Sequence, residues 1–154
     1  MQISDILEAG AIKSISTLSS KKRLFQEIAD IAADCYGVDA SLTCAALQER
    51  ENLGPTGVGH GVALPHARLE GLEGVVAVFI RLDKQLDFEA ADRQPVDLFF
   101  SLLAPTDAGV DHLKALALVS RTLRDQAFCT KLRANENEAA LHAMLTDSKT
   151  SQAA

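Results

Sequence analysis

Apolar residues recur at helical spacing in the first third of the chain and predict two successive helices. In residues 21–35 they return every three to four positions, as on one buried face of a helix. Ser20 stands where an N-cap residue is expected, and Gly37 stands where a helix ends. A second helix is predicted over residues 39–54, which places Arg50 near its C-terminal end.

The middle of the chain changes from helical spacing to continuous apolar runs. Residues 75–82 and 95–103 are β-branched or otherwise apolar, and turn residues bound them, so they predict two buried strands. Helical spacing returns in residues 111–124, 127–133 and 136–145. Strands with helices on either side predict an α/β fold, in which helices cover both faces of a small central sheet.

The size and composition predict a single domain. The chain has 154 residues, of which 47% are hydrophobic and only 5% aromatic, so we expect one core built mainly from aliphatic side chains. Residues 148–154 are small and polar. We therefore expect a domain over residues 1–147 and a flexible C-terminal tail.

Charge and cysteine content narrow the class of partners. A net charge of −6 argues against nucleic acid, which needs a basic surface. The short basic run of residues 21–23 predicts a solvated surface, and the alternative is a patch that docks a partner. No apolar run approaches the roughly 20 residues that cross a bilayer, so no membrane insertion is expected. The chain has three cysteines, and none forms a C-x-x-C pair. We therefore expect them to be small core residues of a protein in the reducing cytoplasm.

Residues 57–68, with the sequence GVGHGVALPHAR, form the most informative stretch of the chain. His66 follows Pro65 at the end of a short apolar strand, and Pro65 restricts the backbone on both sides of its own ring. The glycines before it permit backbone geometry that side chains forbid. This pattern predicts a rigid pocket wall that presents His66 as a nucleophile.

The other histidines have weaker sequence signals. His60 lies in the glycine-rich segment, where it either lines the pocket of His66 or points to solvent. The six-residue separation of these two histidines is not the helical spacing of a zinc pair, so no metal is predicted. His112 opens a helix, where free N–H groups favour an anion such as a phosphoryl group, and Arg50 offers a guanidinium to the same anion. No residue of chemical interest neighbours His142 in the sequence, so we expect it to have a structural role.

Several segments together resemble the IIA domains of the fructose/mannitol class in the bacterial phosphoenolpyruvate-dependent phosphotransferase system. They are Arg50-Glu51, Leu53-Gly54, residues 56–59, residues 61–66 and Asp111-His112-Leu113. The resemblance covers nearly the whole chain and is strongest for the nitrogen-regulatory branch, in view of residues 94–98 and the leucine-rich helix after His112. It implies a single-domain IIA fold with a small mixed sheet.

The resemblance also implies a function and roles for individual residues. A histidine phosphocarrier protein would donate a phosphoryl group to His66, giving a tele-phosphohistidine, while His112 and Arg50 help to hold that group. Gly59, His60 and Arg68 are predicted as further support, although relatives carry other polar residues at the position of His60. Phosphoryl transfer requires mainly positioning and charge stabilisation, so no cofactor or metal is expected.

The resemblance leaves three functions open. The first is a regulatory phosphoprotein that controls targets such as kinases or transporters in nitrogen, potassium or carbon regulation, by means of the charge added at His66. The second is a sugar-transport IIA component that passes the phosphoryl group to a IIB subunit. The third is a binding module that is never phosphorylated. The chain counts as an enzyme of the phosphotransferase class only if a phosphohistidine carrier is counted as one.

An apolar docking surface with a polar rim is expected, with Leu53, Val58 and Val62 as candidates.

Overall fold

A computed structural model describes residues 1–147, and the predicted tail at 148–154 lies outside the described residues. Five helices form within this part of the chain, and each matches a predicted one to within a few residues. They are α1 (Lys21–Tyr36), α2 (Ala40–Leu53), α3 (Val110–Arg124), α4 (Gln126–Arg133) and α5 (Glu138–Thr146). Two short 3-10 turns, Ile3–Asp5 and Ala9–Ala11, precede the first strand.

The caps of the first two helices follow from the sequence. The Ser20 hydroxyl accepts a hydrogen bond from the Arg23 N–H, and Gly37 ends α1 in the left-handed conformation at φ 74°. Asp39 caps α2 by accepting from the Leu42 N–H. These local bonds explain why both helix starts could be predicted without tertiary information.

Six strands form one mixed sheet, which confirms the predicted fold class. The strands are β1 (Ile12–Ile15), β2 (Gly57–Gly59), β3 (Val62–Ala63), β4 (His66–Leu69), β5 (Val76–Leu86) and β6 (Val96–Pro105). Their order is β1-β5-β6-β3-β2, and β4 also pairs with β6. The pairs β5/β6 and β2/β3 are antiparallel, whereas β1 lies parallel to β5, and β3 and β4 lie parallel to β6.

The core lies on both faces of β5 and β6. Every residue of β6 is buried, and successive side chains of a strand point to opposite faces, so the sheet is covered on both sides. The core is mainly aliphatic, as expected, and five of the six phenylalanines are completely buried within it. They are Phe25, Phe79, Phe88, Phe99 and Phe100. Phe88 makes edge contacts with Phe25 and Phe99 at centroid distances of 5.8 and 5.3 Å.

Two local expectations were wrong. The segment around His66 contains three short strands where one was expected, and His66 begins β4 instead of standing at the end of a strand. Strands of two to four residues are too short to show a period of their own. Lys21 is also not a solvated residue of the basic run, because its ammonium group lies 3.2 Å from the Glu51 carboxylate and 4.7 Å from the centre of the Phe88 ring.

Close packing explains why position 57 is a glycine. A Cβ atom on Gly57 would lie 2.5 Å from the Cβ and 2.8 Å from the Cα of Ala90, so the segment that covers β2 would have to move. We expect Gly57→Ala to lower the free energy of unfolding by about 1–3 kcal/mol, the usual effect of overpacking. Urea unfolding measures this change. Gly74→Ala is the matched control, since nothing lies within 4 Å of a Cβ at that position. Equal midpoints for the two variants would contradict the packing argument.

Candidate functional site

The backbone around Pro65 holds the ring of His66 in a fixed place. The Pro65 carbonyl accepts a hydrogen bond from the Leu102 N–H at 3.0 Å, which attaches the segment to β6. His66 then begins β4 opposite Leu102, with its side chain half-buried. The Nδ1 atom of His66 lies 2.8 Å from the Leu64 carbonyl oxygen. A carbonyl only accepts hydrogen bonds, so Nδ1 carries the proton.

Arg50 defines the state of the other ring nitrogen. It lies in the last turn of α2, and its Nε donates to Nε2 of His66 at 3.2 Å, while Nη1 donates to the Gly54 carbonyl at 3.0 Å. A guanidinium has no acceptor, so Nε2 must present its lone pair. The two hydrogen bonds to the ring therefore agree on one neutral tautomer, with Nδ1 protonated and Nε2 free to act as a nucleophile.

His112 lies beside His66 although 46 positions separate them in the sequence. Their ring centroids are 5.6 Å apart and the ring planes are inclined at 72°. His112 is near the start of α3 and only 5% exposed, and within residues 1–147 its buried Nε2 has no hydrogen-bond partner. Buried polar atoms are normally satisfied, so this nitrogen is available for a group that enters the site.

Burial keeps both rings neutral. It is the largest cause of the lowered pKa of His66, and the Arg50 charge lowers this pKa further, against a raising effect of the Leu64 hydrogen bond. Burial likewise lowers the pKa of His112, and the neighbouring His66 and Arg68 act in the same direction. Both imidazoles are therefore uncharged at neutral pH, as a nucleophilic nitrogen requires.

These lowered pKa values predict a dependence of stability on pH. Below the ordinary histidine pKa of 6.5 the unfolded chain binds protons that the folded rings do not, so acidification favours unfolding. We expect stability to fall as the pH decreases from 6.5, with a slope of at most about 1.4 kcal/mol per pH unit for each proton. Urea midpoints at several pH values test this. His112→Gln should show a shallower decline than the original protein, and identical slopes would refute the contribution of His112.

An open cavity of about 570 Å³ contains both rings. Its lining residues are Ala46, Glu49, Arg50, Leu53, His66, Ala67, Arg68, His112, Leu113 and Leu116. The structure thus brings together Arg50 of α2, His66 and Arg68 of β4, and His112 of α3, which are three different elements. Arg68 is exposed, and its Nη1 donates to the Thr106 carbonyl at 3.1 Å. Two of the lining leucines, Leu53 and Leu113, are 83% and 65% exposed.

Two predicted supporting residues lie elsewhere. Gly59 and His60 line a separate cavity of about 100 Å³ between the β2–β3 turn and α3. His60 occupies this turn at φ 56°, where its N–H donates to Asp92 and its carbonyl accepts from Arg133 Nη2 at 2.7 Å. These bonds hold the backbone of the turn, and the cavity lined by His66 contains neither residue. Gly59 and His60 therefore lie outside the cavity that His66 lines.

The remaining histidine has the structural role expected of it. Nε2 of His142 lies 3.0 Å from the Leu7 carbonyl oxygen, so this ring joins α5 to the N-terminal segment. No cluster of three or more metal-ligating side chains occurs among residues 1–147. Within the same residues, no helix is both long enough and apolar enough to cross a membrane.

Glu51, which follows Arg50 in α2, has no role predicted from the sequence but is a buried part of this region. Its side chain is 3% exposed, and it accepts hydrogen bonds from Lys21 and from the backbone and hydroxyl of Thr56. A signal was present in the sequence. A carboxylate in the last turn of a helix opposes the helix dipole, and such a residue needs compensating partners.

Comparison with known proteins defines the class to which this fold and site belong. The family model described as "Phosphoenolpyruvate-dependent sugar phosphotransferase system, EIIA 2" matches residues 5–148, and the chain belongs to this family. The resemblance noted from the sequence is thereby confirmed.

Within this family the chain is similar to nitrogen regulatory proteins. It is 47% identical to the nitrogen regulatory protein of Bradyrhizobium diazoefficiens over 94% of this chain and 95% of that protein. It is 37% identical to the Escherichia coli nitrogen regulatory protein over 97% and 92% of the two chains. Among solved structures, nitrogen regulatory protein IIA-Ntr from Neisseria meningitidis matches with a TM-score of 0.87 and 33% identity, covering 94% of this chain and 99% of that one.

Proposed function

We propose that this protein is a regulatory phosphoryl carrier that accepts a phosphoryl group on Nε2 of His66 from a histidine phosphocarrier protein. The observation that carries the proposal is the pair of hydrogen bonds at the His66 ring. The Leu64 carbonyl keeps the proton on Nδ1, and Arg50 donates to Nε2, so a neutral nucleophile faces an open pocket.

The transfer step needs no group beyond those of the site and the donor. The N–P bond of the donor phosphohistidine breaks while a bond forms between phosphorus and Nε2 of His66. The His66 ring keeps its Nδ1 proton, and the positive charge that develops on it is stabilised by the Leu64 carbonyl. Arg50 moves from the lone pair of Nε2 to the phosphoryl oxygens, which carry the charge of the transition state.

His112 and Arg68 complete the proposed phosphoryl site. The unpartnered Nε2 of His112 is buried beside the acceptor, and as an N–H it donates to a phosphoryl oxygen. Arg68 lines the same pocket at its exposed side, where its guanidinium attracts the incoming anion. Together with Arg50, these residues offer N–H donors to the phosphoryl oxygens from the lining of one cavity.

The face that surrounds the pocket suits a transient protein partner. Leu53 and Leu113 are highly exposed at the pocket edge, and Val110 is 62% exposed at the start of α3. Two other docking candidates expected from the sequence do not belong to this face. Val62 is only 2% exposed, so it is part of the core. Val58 is exposed but lines the separate cavity near His60. A small apolar patch around charged groups is typical of carriers that bind briefly and dissociate.

Phosphorylation would change the charge of this face strongly. The added group carries about −1.5 to −2 charges and opposes the positive charges of Arg50 and Arg68. A target that binds the unmodified face is therefore repelled or released after transfer. We propose kinases or transporters as the targets, in nitrogen, potassium or carbon regulation, and the cytoplasm as the location, since the three cysteines are free thiols.

A sugar-transport role is the second candidate. A fructose-specific EIIA component from Haloferax volcanii is 31% identical to this chain, and mannitol enzyme IIA from Escherichia coli has been solved in complex with phosphorylated enzyme IIB. The mannitol structure has 13% identity and a TM-score of 0.64, so it supports the fold. The higher identity of 47% to a nitrogen regulatory protein favours regulation.

Reconstitution of the relay tests the carrier proposal. The protein is incubated with phosphoenolpyruvate, enzyme I and a histidine phosphocarrier protein, and its intact mass is measured at alkaline pH. We expect a gain of one acid-labile phosphoryl group. No gain in the presence of a relay that phosphorylates a control IIA protein would overturn the proposal and favour a binding module that is never phosphorylated.

A further inference from the structure

The position of the Glu51 carboxylate is energetically unfavourable for a negative charge. It is in the last turn of α2, where the helix dipole disfavours a negative charge, and the residue is only 7% exposed. Burial of a charged group is costly unless partners satisfy it. Three donors from two residues, Lys21 and Thr56, do so here.

The first donor is the partly buried ammonium group of Lys21, and the other two donors belong to Thr56. Lys21 Nζ lies 3.2 Å from Oε1 of Glu51, and this ammonium also lies over the Phe88 ring. The Thr56 N–H is shared between both carboxylate oxygens at 3.2 Å, and the Thr56 hydroxyl donates to Oε2 at 2.6 Å. The carboxylate therefore fixes the peptide unit and the side chain of Thr56 at once.

Thr56 in turn anchors the residue that orients the His66 ring. The Thr56 carbonyl accepts from the Leu64 N–H at 2.9 Å, and the Leu64 carbonyl accepts from Nδ1 of His66 at 2.8 Å. Leu64 belongs to no strand, and Pro65 after it has no N–H, so the sheet ladder does not determine the direction of the Leu64 carbonyl. The Leu64 N–H is held by the Thr56 carbonyl, and the next carbonyl, that of Pro65, is held by the Leu102 N–H, so these two bonds together limit the direction of the Leu64 carbonyl.

We propose that Glu51, through Thr56 and Leu64, is a positioning residue that aims the Leu64 carbonyl at Nδ1 of His66 and so prepares Nε2 for phosphoryl transfer. This inference rests on the proposed carrier function. When a bond forms between Nε2 and phosphorus, the ring that keeps its Nδ1 proton becomes positively charged. A carbonyl already in place stabilises that charge without reorganisation, which is the advantage of a fixed dipole.

A small phosphoryl donor separates this inference from the carrier proposal. Phosphoramidate reacts without docking: its P–N bond breaks, ammonia leaves, and the phosphoryl group bonds to Nε2 of His66 while Nδ1 keeps its proton. The rate of this labelling, followed by intact mass, reports the reactivity of the ring itself. Failure of the phosphocarrier relay with intact phosphoramidate labelling would overturn the carrier proposal and still leave the positioning role measurable.

Four variants form matched pairs. Glu51→Gln keeps the shape of the side chain but replaces one carboxylate oxygen with an NH2 group. This donor then faces a donor of Thr56 or Lys21, so one hydrogen bond is lost. Thr56→Val removes the hydroxyl, whereas Thr56→Ser keeps it. Glu27→Gln is the control for Glu51→Gln, because Glu27 is also a helical carboxylate paired with a cation, at 3.6 Å from Arg23. Two-dimensional amide spectra establish that each variant is folded.

Two readouts decide the outcome. We expect Glu51→Gln and Thr56→Val to slow phosphoramidate labelling about tenfold, the rate equivalent of one hydrogen bond, and Thr56→Ser and Glu27→Gln to remain within about twofold. The Nδ1–H proton of His66 should exchange with water about tenfold faster in the first two variants, as for a weakened hydrogen bond. A carboxylate that only stabilises the fold changes neither quantity in a folded variant. Unchanged labelling and exchange in folded Glu51→Gln or Thr56→Val would overturn the positioning role.

Discussion

We expect His66→Ala to abolish phosphorylation by the reconstituted relay and to leave the fold intact. The site offers one unprotonated ring nitrogen with an open approach, and the variant removes it. The side chain is half-buried and makes one hydrogen bond to the backbone, so its loss should change the free energy of unfolding by only about 1 kcal/mol. Intact-mass analysis at alkaline pH measures the first effect and urea unfolding the second.

His60→Asn is the control for the loss of a histidine. His60 lies in the same glycine-rich segment, but the cavity of His66 does not contain it, and asparagine tolerates the positive φ of this position. This variant should be phosphorylated at the rate of the original protein. A phosphoryl group retained by folded His66→Ala, or lost in folded His60→Asn, would contradict the assignment of the acceptor.

Arg50→Ala should have the second largest effect. Loss of the guanidinium removes the charge that the phosphoryl oxygens meet, and we expect the transfer rate to fall by about 100-fold, as for other groups that stabilise transition-state charge. The pKa of His66 should rise in this variant, since the Arg50 charge lowers it. Single-turnover transfer from the phosphorylated carrier gives the rate, and an NMR titration of His66 gives the shift.

Two further variants make the test of Arg50 specific. Arg50→Lys keeps a positive charge but loses the planar fork, so it should restore only part of the rate. Arg121→Ala removes an exposed arginine from the last turn of another helix and should leave both measurements unchanged. A rate for Arg50→Ala close to that of Arg121→Ala would remove Arg50 from the proposed site.

Local signals explain why the helices could be predicted so well. Ser20, Gly37 and Asp39 act within their own turns, and the apolar spacing of a helix can be recognised in a window of a dozen residues. The long strands β5 and β6 were recognisable for a similar reason, because they are buried on both faces and appear as continuous apolar runs. The short strands β1 to β4 had no such signal.

The candidate site was only partly accessible to the same reasoning. Pro65 and the glycines pointed to His66 through restrictions on the local backbone, and the resemblance to a family added Arg50 and His112. His60 lies in the same glycine-rich segment as His66, yet in the structure it lines a different cavity. Glu51 was unassigned because neither partner is marked by a local pattern: Lys21 lies 30 residues away in α1, and Thr56 lies between α2 and β2.

The sequence by itself therefore determined the helices, the two central strands, the family and the identity of the candidate acceptor, since each depends on a local pattern or motif. The family resemblance implied the nitrogen of His66 that reacts and the supporting roles of His112 and Arg50, but only the tertiary structure shows the contacts that set the tautomer of His66 and the partners of Glu51. Those properties depend on distances between side chains from different elements. The Leu64 carbonyl at Nδ1, Arg50 at Nε2 and the ring of His112 meet only after the sheet and helices have packed.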